Sequence, residues 1–274
     1  MNETIGIISG NGDYPLLVAK GARKAGVKKI IAAALIGETE KEIENFCDVV
    51  CWIEIGQLGK LIKFFKKNNV NQVIMAGQVK PTRLFGRLKL DLRMVKLLAK
   101  IKMRGAEPIF STVADELQKD GISLIDSSVF MKDQLADSGL MTGGSLKKNI
   151  RNDIVFGERI ARSIADLDIG QTIVVKDRTV VAVEAIEGTD SVIKRAGLLA
   201  GKNTVVIKLS KKKQDMRFDL PVVGTRTLDI MIESKSHVLA IDAKKTLILN
   251  KKDFLLKARE AGIHVFGIDK NEKS

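Results

Sequence analysis

"TIGIISGNGDYPLLVAKGARKAG" (4–26) decides the fold. "TIGIISG" is an apolar run ending in Gly10, and reads as a strand closed by a turn. Pro15 then stands in the first turn of a periodic apolar stretch and Gly26 just past its end, the start and stop signals of a helix. The alternation continues. "KKIIAAALI" (28–36), "DVVCWIEIG" (48–56) and "VNQVIMAGQVK" (70–80) read as strands, with helices at "KEIENFC" (41–47) and "QLGKLIKFFKKNN" (57–69). A β-α-β-α register predicts a mainly parallel, Rossmann-like sheet with helices on both faces. Ligands on such sheets sit beyond the carboxyl ends of the strands, where "SGNG" and "AGQVK" both fall.

A basic amphipathic stretch follows at 86–105, "GRLKLDLRMVKLLAKIKMRG", with seven Lys or Arg against one Asp. It reads either as a helix packed on the core or as a surface for an anionic partner. "TVADELQKDG" (112–121) predicts a helix and "ISLIDSS" (122–128) a last strand. Residues 134–150 are rich in Gly and Ser with a weak apolar period, which predicts a linker between domains at 1–133 and 151–274. The second half predicts a helix at 152–167 capped by Asn152, and two strands around the turn "KDR" in 171–188. A strand is expected at 203–210, a helix at 225–235 and a hairpin at 237–250. A helix at 251–262 and a strand at 263–269 close the chain, as an α/β domain with a mixed sheet.

The 274 residues carry a formal net charge of +13, which favours anionic partners: phosphates, nucleic acid or an acidic membrane surface. Aromatic residues are only 4%, which argues against a stacking surface for nucleic acid. Cys47 and Cys51 cannot make a four-ligand zinc site, and suit a reduced, cytosolic protein. His237 and His264 each head an apolar run and read as strand starts. The amino terminus lacks the pattern of a signal peptide, and no apolar run reaches the roughly 18 residues that span a bilayer.

Four groups could carry chemistry. Gly10, Asn11, Gly12 and Asp13 form a turn at a helix start, where backbone N–H groups can hold a phosphate. The third glycine of the dinucleotide fingerprint is absent, because Pro15 stands there; a tight turn or a nucleotide-dependent oxidoreductase remain readings beside phosphate binding. Gly77, Gln78 and Lys80 offer close backbone approach, an amide for an imide edge, and a charge. "VAVEAIEGTD" (181–190) gathers Glu184, Glu187 and Asp190 with Gly188 and Thr189. Hard oxygen ligands of this kind suit Mg²⁺ or Mn²⁺, though Asp190 equally reads as a helix cap. "MRFDLPVVG" (216–224) reads as the start of a buried strand, in which Arg217 and Asp219, two apart, share a face. They read as an ion pair, or as a phosphate clamp beside a metal- or water-binding acid, with Lys208 and Lys211 nearby in sequence.

"DIGQ" (168–171), "VAVEAIEGTD" and the K-x-x-K-x-x-Q-x-x-RFDLPVVG pattern of 208–224 resemble the UDP-2,3-diacylglucosamine pyrophosphatases of the LpxI type, as do "GIISGNGDYP" and "AGQVKP" in the first half. The resemblance implies a divalent-cation-dependent hydrolysis of UDP-2,3-diacylglucosamine to UMP and 2,3-diacylglucosamine 1-phosphate (lipid X), in lipid A synthesis. Water would attack the sugar-side phosphorus. It implies a nucleotide-binding first domain and a catalytic, acylated-sugar-binding second one, a homodimer, and a cytoplasmic place on the anionic inner face of the inner membrane. Asp219 corresponds to the aspartate the family treats as essential. Joined to the residue readings, this makes Asp219, Asp190 and Arg217 catalytic, and Asp219, Asp190 and Glu187 metal-holding. Gly10–Asp13, Gly77, Gln78, Lys80, Gly188, Thr189, Lys208 and Gln214 would bind substrate. One departure is "RGAEP" (104–108), where Ala106 replaces an acid common in the family and Glu107 keeps the next.

Overall fold

The structure, a computed structural model, describes residues 3–79, 89–99, 106–212 and 214–269, with the backbone alone at 106–108. In chain order the first half forms β1 (Thr4–Ser9), α1 (Tyr14–Lys24), β2 (Lys29–Leu35), β3 (Val49–Ile53), α2 (Leu58–Lys67), β4 (Gln72–Ala76), α3 (Leu92–Leu98), α4 (Ala106–Lys119) and β5 (Ser123–Leu124). "KEIENFC" forms a short 3₁₀ turn, Lys41–Asn45. The five strands pair in parallel in the order β3-β2-β1-β4-β5. The chain reverses direction across the sheet between β1 and β4, and this switch point lies beside the glycine loop. Phe65 of α2 is fully buried in the core beneath the sheet, with Leu61, Ile62, Leu117 and Ile122. Burial of one such side chain contributes about 1.5–3 kcal/mol.

The second half forms β6 (Gly139–Leu140), α5 (Lys148–Asp166), β7 (Thr172–Lys176), β8 (Thr179–Val183), α6 (Thr189–Ala200), β9 (Val205–Lys208), β10 (Val222–Val223), α7 (Thr225–Glu233), β11 (Val238–Asp242), β12 (Leu247–Ile248), α8 (Lys251–Glu260) and β13 (His264–Ile268). Its sheet runs β6-β13-β11-β9-β7-β8. β13, β11 and β9 are parallel; β6, and β7 against β9 and β8, are antiparallel, which makes the expected mixed sheet. The "KDR" hairpin forms as read: Asp177 and Arg178 both take left-handed backbone (φ 49° and 56°), as a two-residue hairpin turn requires.

Three expectations are corrected. Residues 134–150 are not a linker. Ala136 N–H donates to Thr246 (2.9 Å), β6 pairs with β13, and Leu146 and Ile150 join the second core. Asn152 is not a cap, because α5 begins at Lys148. The 237–250 hairpin does not form. β11 pairs in parallel with β9 and β13, and β12 with β10, so each strand finds a partner remote in sequence.

Two compact units result, 1–132 with Asp215–Asp219, and 133–214 with 220–274. The first is thus completed by five residues from the second half of the chain. Among the described residues no helix is long and apolar enough to cross a membrane.

Candidate active site

In the first unit the switch point is built from backbone. Gly10 N–H donates to Ala76 (2.8 Å), while Asn11 and Gln78 exchange N–H···O bonds of 2.7 and 3.0 Å. A Cβ on Gly10 would lie 2.6 Å from the Gln78 carbonyl oxygen, and one on Gly77, at φ +92°, 2.7 Å from that of Asn11. Only glycine lets the two loops meet, which is the reason both sequences carry it. Asn11 Nδ2 donates to the carbonyl of Glu38 (3.0 Å), which ties the loop after β2 to the same place. Gly12 takes φ +88°, and Asp13 precedes α1 without a side-chain cap; its carbonyl accepts from Leu17 N–H (3.1 Å). Lys80 and most of the 86–105 stretch lie outside the described residues, as do 104–105 of "RGAEP" and its side chains.

"MRFD" is a turn and not a strand, so Arg217 and Asp219 are not set on one face by β geometry. The ion pair that forms is Arg217 with Asp215. Nε lies 2.9 Å from Oδ1 and Nη2 2.7 Å from Oδ2, a bidentate fork. That pairing holds the Asp215 carboxyl below its usual range and raises Arg217. The turn belongs to the first unit. Ser127 donates to the Met216 carbonyl through both N–H (3.1 Å) and Oγ (3.0 Å), and Phe218 packs on Phe110 with centroids 5.9 Å apart. The Tyr14 hydroxyl donates to the Ser127 carbonyl (2.6 Å), and burial pushes its pKa well up, so it stays a donor. Ser127 therefore links the Asp219 turn to Tyr14, the first residue of the helix behind the glycine loop. Asp219 itself is half-buried, and its N–H donates to Asp215 (2.9 Å).

In the second unit the carboxyl ends of β8 and β9 meet the start of α6. Gly188 is the N-cap residue. Thr189 is a hub: its hydroxyl donates to Glu184 Oε1 (2.9 Å) and accepts from Lys208 Nζ (2.8 Å). A hydroxyl has one proton, so Thr172 Oγ1, 3.3 Å away, must donate to Thr189 as well. Beside this network Asp242, 2% exposed at the end of β11, accepts from Arg162 (2.8 Å), Ser210 N–H (2.7 Å) and Ser210 Oγ (2.5 Å). Burial opposes its ionisation, but the bonds from Arg162 and Ser210 prevail and lower its pKa. Lys211 pairs with Asp168, and its N–H donates to Gln214 Oε1 (2.8 Å), so Gln214 closes the lysine loop.

The family model described as the LpxI N-terminal domain matches residues 4–134, and that described as the LpxI C-terminal domain matches 137–266. The chain belongs to the LpxI family. It is 26% identical over 280 residues to a Caulobacter vibrioides protein named UDP-2,3-diacylglucosamine pyrophosphatase LpxI, with 98% of this chain and 99% of that one covered. A solved glycinamide-RNase-transformylase T from Mycobacterium tuberculosis matches 66% of this chain and 44% of its own at 11% identity, with a TM-score of 0.25, too slight a likeness to carry an argument.

Within this LpxI-family chain the expected metal trio is divided. Asp219 belongs to the first unit, Glu187 and Asp190 to the second. Asp190 accepts from Arg226 Nε (2.6 Å). Glu187 accepts from Ala185 N–H and Arg195 (2.6 Å), and its pKa is lowered by backbone hydrogen bonding and then by Arg195. As folded, these two carboxylates fit ion pairs and not a metal pair. Among the described residues no group of three His, Cys, Asp or Glu side chains could hold one ion. Sequence reading missed Thr172, Ser210, Arg162 and Asp242. One signal for Asp242 was present: a carboxylate ending the buried run "VLAID".

Proposed function

We propose that this protein hydrolyses UDP-2,3-diacylglucosamine to UMP and 2,3-diacylglucosamine 1-phosphate, in lipid A synthesis. The observation that carries the reading is the tie from the glycine loop through Tyr14 and Ser127 to the Asp219 turn. It joins Asp219, which this reading takes as the catalytic aspartate, to the unit that carries the switch point. The match of both halves to the family supports it further.

The loop that Gly10, Asn11, Gly77 and Gln78 lock together holds the uridine end, with the main chain of Gly12 and Asp13 at the start of α1 meeting its phosphate. In the second unit Lys208, steadied by Thr189, offers a positive charge to a phosphate group. Asp219 orients water and takes its proton. The water oxygen bonds to the sugar-side phosphorus, the bridging P–O bond breaks, and UMP leaves with the bridging oxygen. Arg217, held by Asp215, positions this turn. We further propose dependence on Mg²⁺ or Mn²⁺ entering with the diphosphate, since Glu187 and Asp190 are occupied by arginines. Chelation should stop turnover and either ion restore it. A cytoplasmic homodimer at the inner membrane completes the reading, checked by light scattering and membrane fractionation.

The test is incubation with UDP-2,3-diacylglucosamine and Mg²⁺ in ¹⁸O-water. UMP should appear with the label in the lipid product. Label in UMP would reverse the direction of attack, and absence of UMP would remove the activity.

A further inference from the structure

The first unit carries a surface that this hydrolysis does not use. α3 turns Met94 and Leu97 into the core. Leu92 and Val95, one turn apart on its outward stripe, are 81% and 48% exposed, and Leu90 just ahead is 40% exposed. A helix that only covered a core would be polar there. The neighbouring α2 presents exposed Lys60, Lys63, Lys66 and Lys67. An open cleft of about 540 Å³ is lined by Lys63, Lys66, Lys67 and Arg93, with Asp120 as its acid. Asp120 bonds Lys66 (3.1 Å) and Arg93. Lys63 and Lys67 add charge beyond that match, and Lys96 stands exposed on α3.

We infer that the α2–α3 face docks on the anionic surface of a lipid bilayer. Lipid phosphates would meet the lysine row and the cleft, while Leu90, Leu92 and Val95 enter the interface. Charge alone would suit a nucleic acid. The apolar groups here are aliphatic, however, and offer no platform for base stacking. The inference rests on the proposed activity in one respect: a diacylated substrate resides in a bilayer.

The test is flotation of the full chain with phosphatidylglycerol-containing vesicles against pure phosphatidylcholine vesicles, at physiological salt. Binding to the anionic vesicles alone is expected. Lys63→Glu with Lys67→Glu should weaken it at least about 25-fold, and Leu92→Ser with Val95→Ser at least about tenfold. Thermal midpoints should stay within about 2 °C, and hydrolysis of a short-acyl, water-soluble substrate should be unchanged. Equal binding by parent and variants overturns the inference. So does retention of single-stranded RNA through these lysines without vesicle binding. Vesicle binding that the variants lose, in a protein that forms no UMP, leaves this surface standing and removes the hydrolase reading instead.

Discussion

At the carboxyl end of the first sheet the polar surface is main chain: Gly10, Asn11, Gly77 and Gln78 locked edge to edge. At the carboxyl end of the second it is side chain: the Lys208–Thr189–Glu184 hub and the Asp242–Arg162–Ser210 cluster. A main-chain site recognises what any phosphate or ring edge presents, and demands glycine. A side-chain site can tune charge, and demands partners fixed by burial. The first suits a common nucleotide handle, the second a distinctive group.

The largest effect tests whether the first unit supplies chemistry or only a handle. Asp219→Ala should lower kcat about 10³-fold or more, with the substrate Kd nearly unchanged. Near-normal turnover would reduce the first unit to a binding module. Next, Asp242→Ala should cost roughly 3–5 kcal/mol in urea unfolding, because Arg162 loses its buried counter-charge. The pH sign follows from the lowered carboxyl. The unfolded state takes up the proton first, so Asp242's contribution is present above about pH 3.9 and fades as pH falls through the lower folded value. The variant should lose that acid-side slope.

Gly77→Ala should cost about 2–3 kcal/mol, from overpacking and left-handed backbone, and weaken UDP binding. If it is neutral, main-chain contact at Gly77 does not lock the first site. Thr189→Val keeps the shape and removes the hub; about 1 kcal/mol of stability and a tenfold loss in kcat/KM are expected. The smallest effect is Arg226→Ala. Its pair with Asp190 is exposed on the arginine side, so unfolding should change by less than about 1 kcal/mol. A larger loss would mean that this rim helps hold the second site together.

The sequence was most readable where local signals suffice. Strand, glycine turn and Pro-started helix all lie within 4–26, and the "KDR" hairpin within one short run. It was least readable where a segment's partner is remote. Residues 139–140 pair with 266–267, Val222–Val223 with Leu247–Ile248, and Met216 with Ser127. None of these leaves a period in the sequence. A strand over 216–219 would set Arg217 on the same face as Asp219; the turn gives it Asp215 instead. The glycine loop was visible for a related reason. A main-chain site needs a rare residue type, whereas Thr172, Ser210 and Asp242 look ordinary until their neighbours are known.

The placement of Asp215–Asp219 in the first unit bears on how the molecule is made. A ribosome adds about 5–20 residues per second and amino-terminal domains fold first. This one has all its described strands once Leu124 has emerged, yet must wait several seconds for Met216 and Phe218 to reach Ser127 and Phe110. During that wait the nascent first unit lacks the segment that packs on Ser127 and Phe110. Asp219 arrives on that segment, so the glycine loop is in place before the aspartate proposed to act on water.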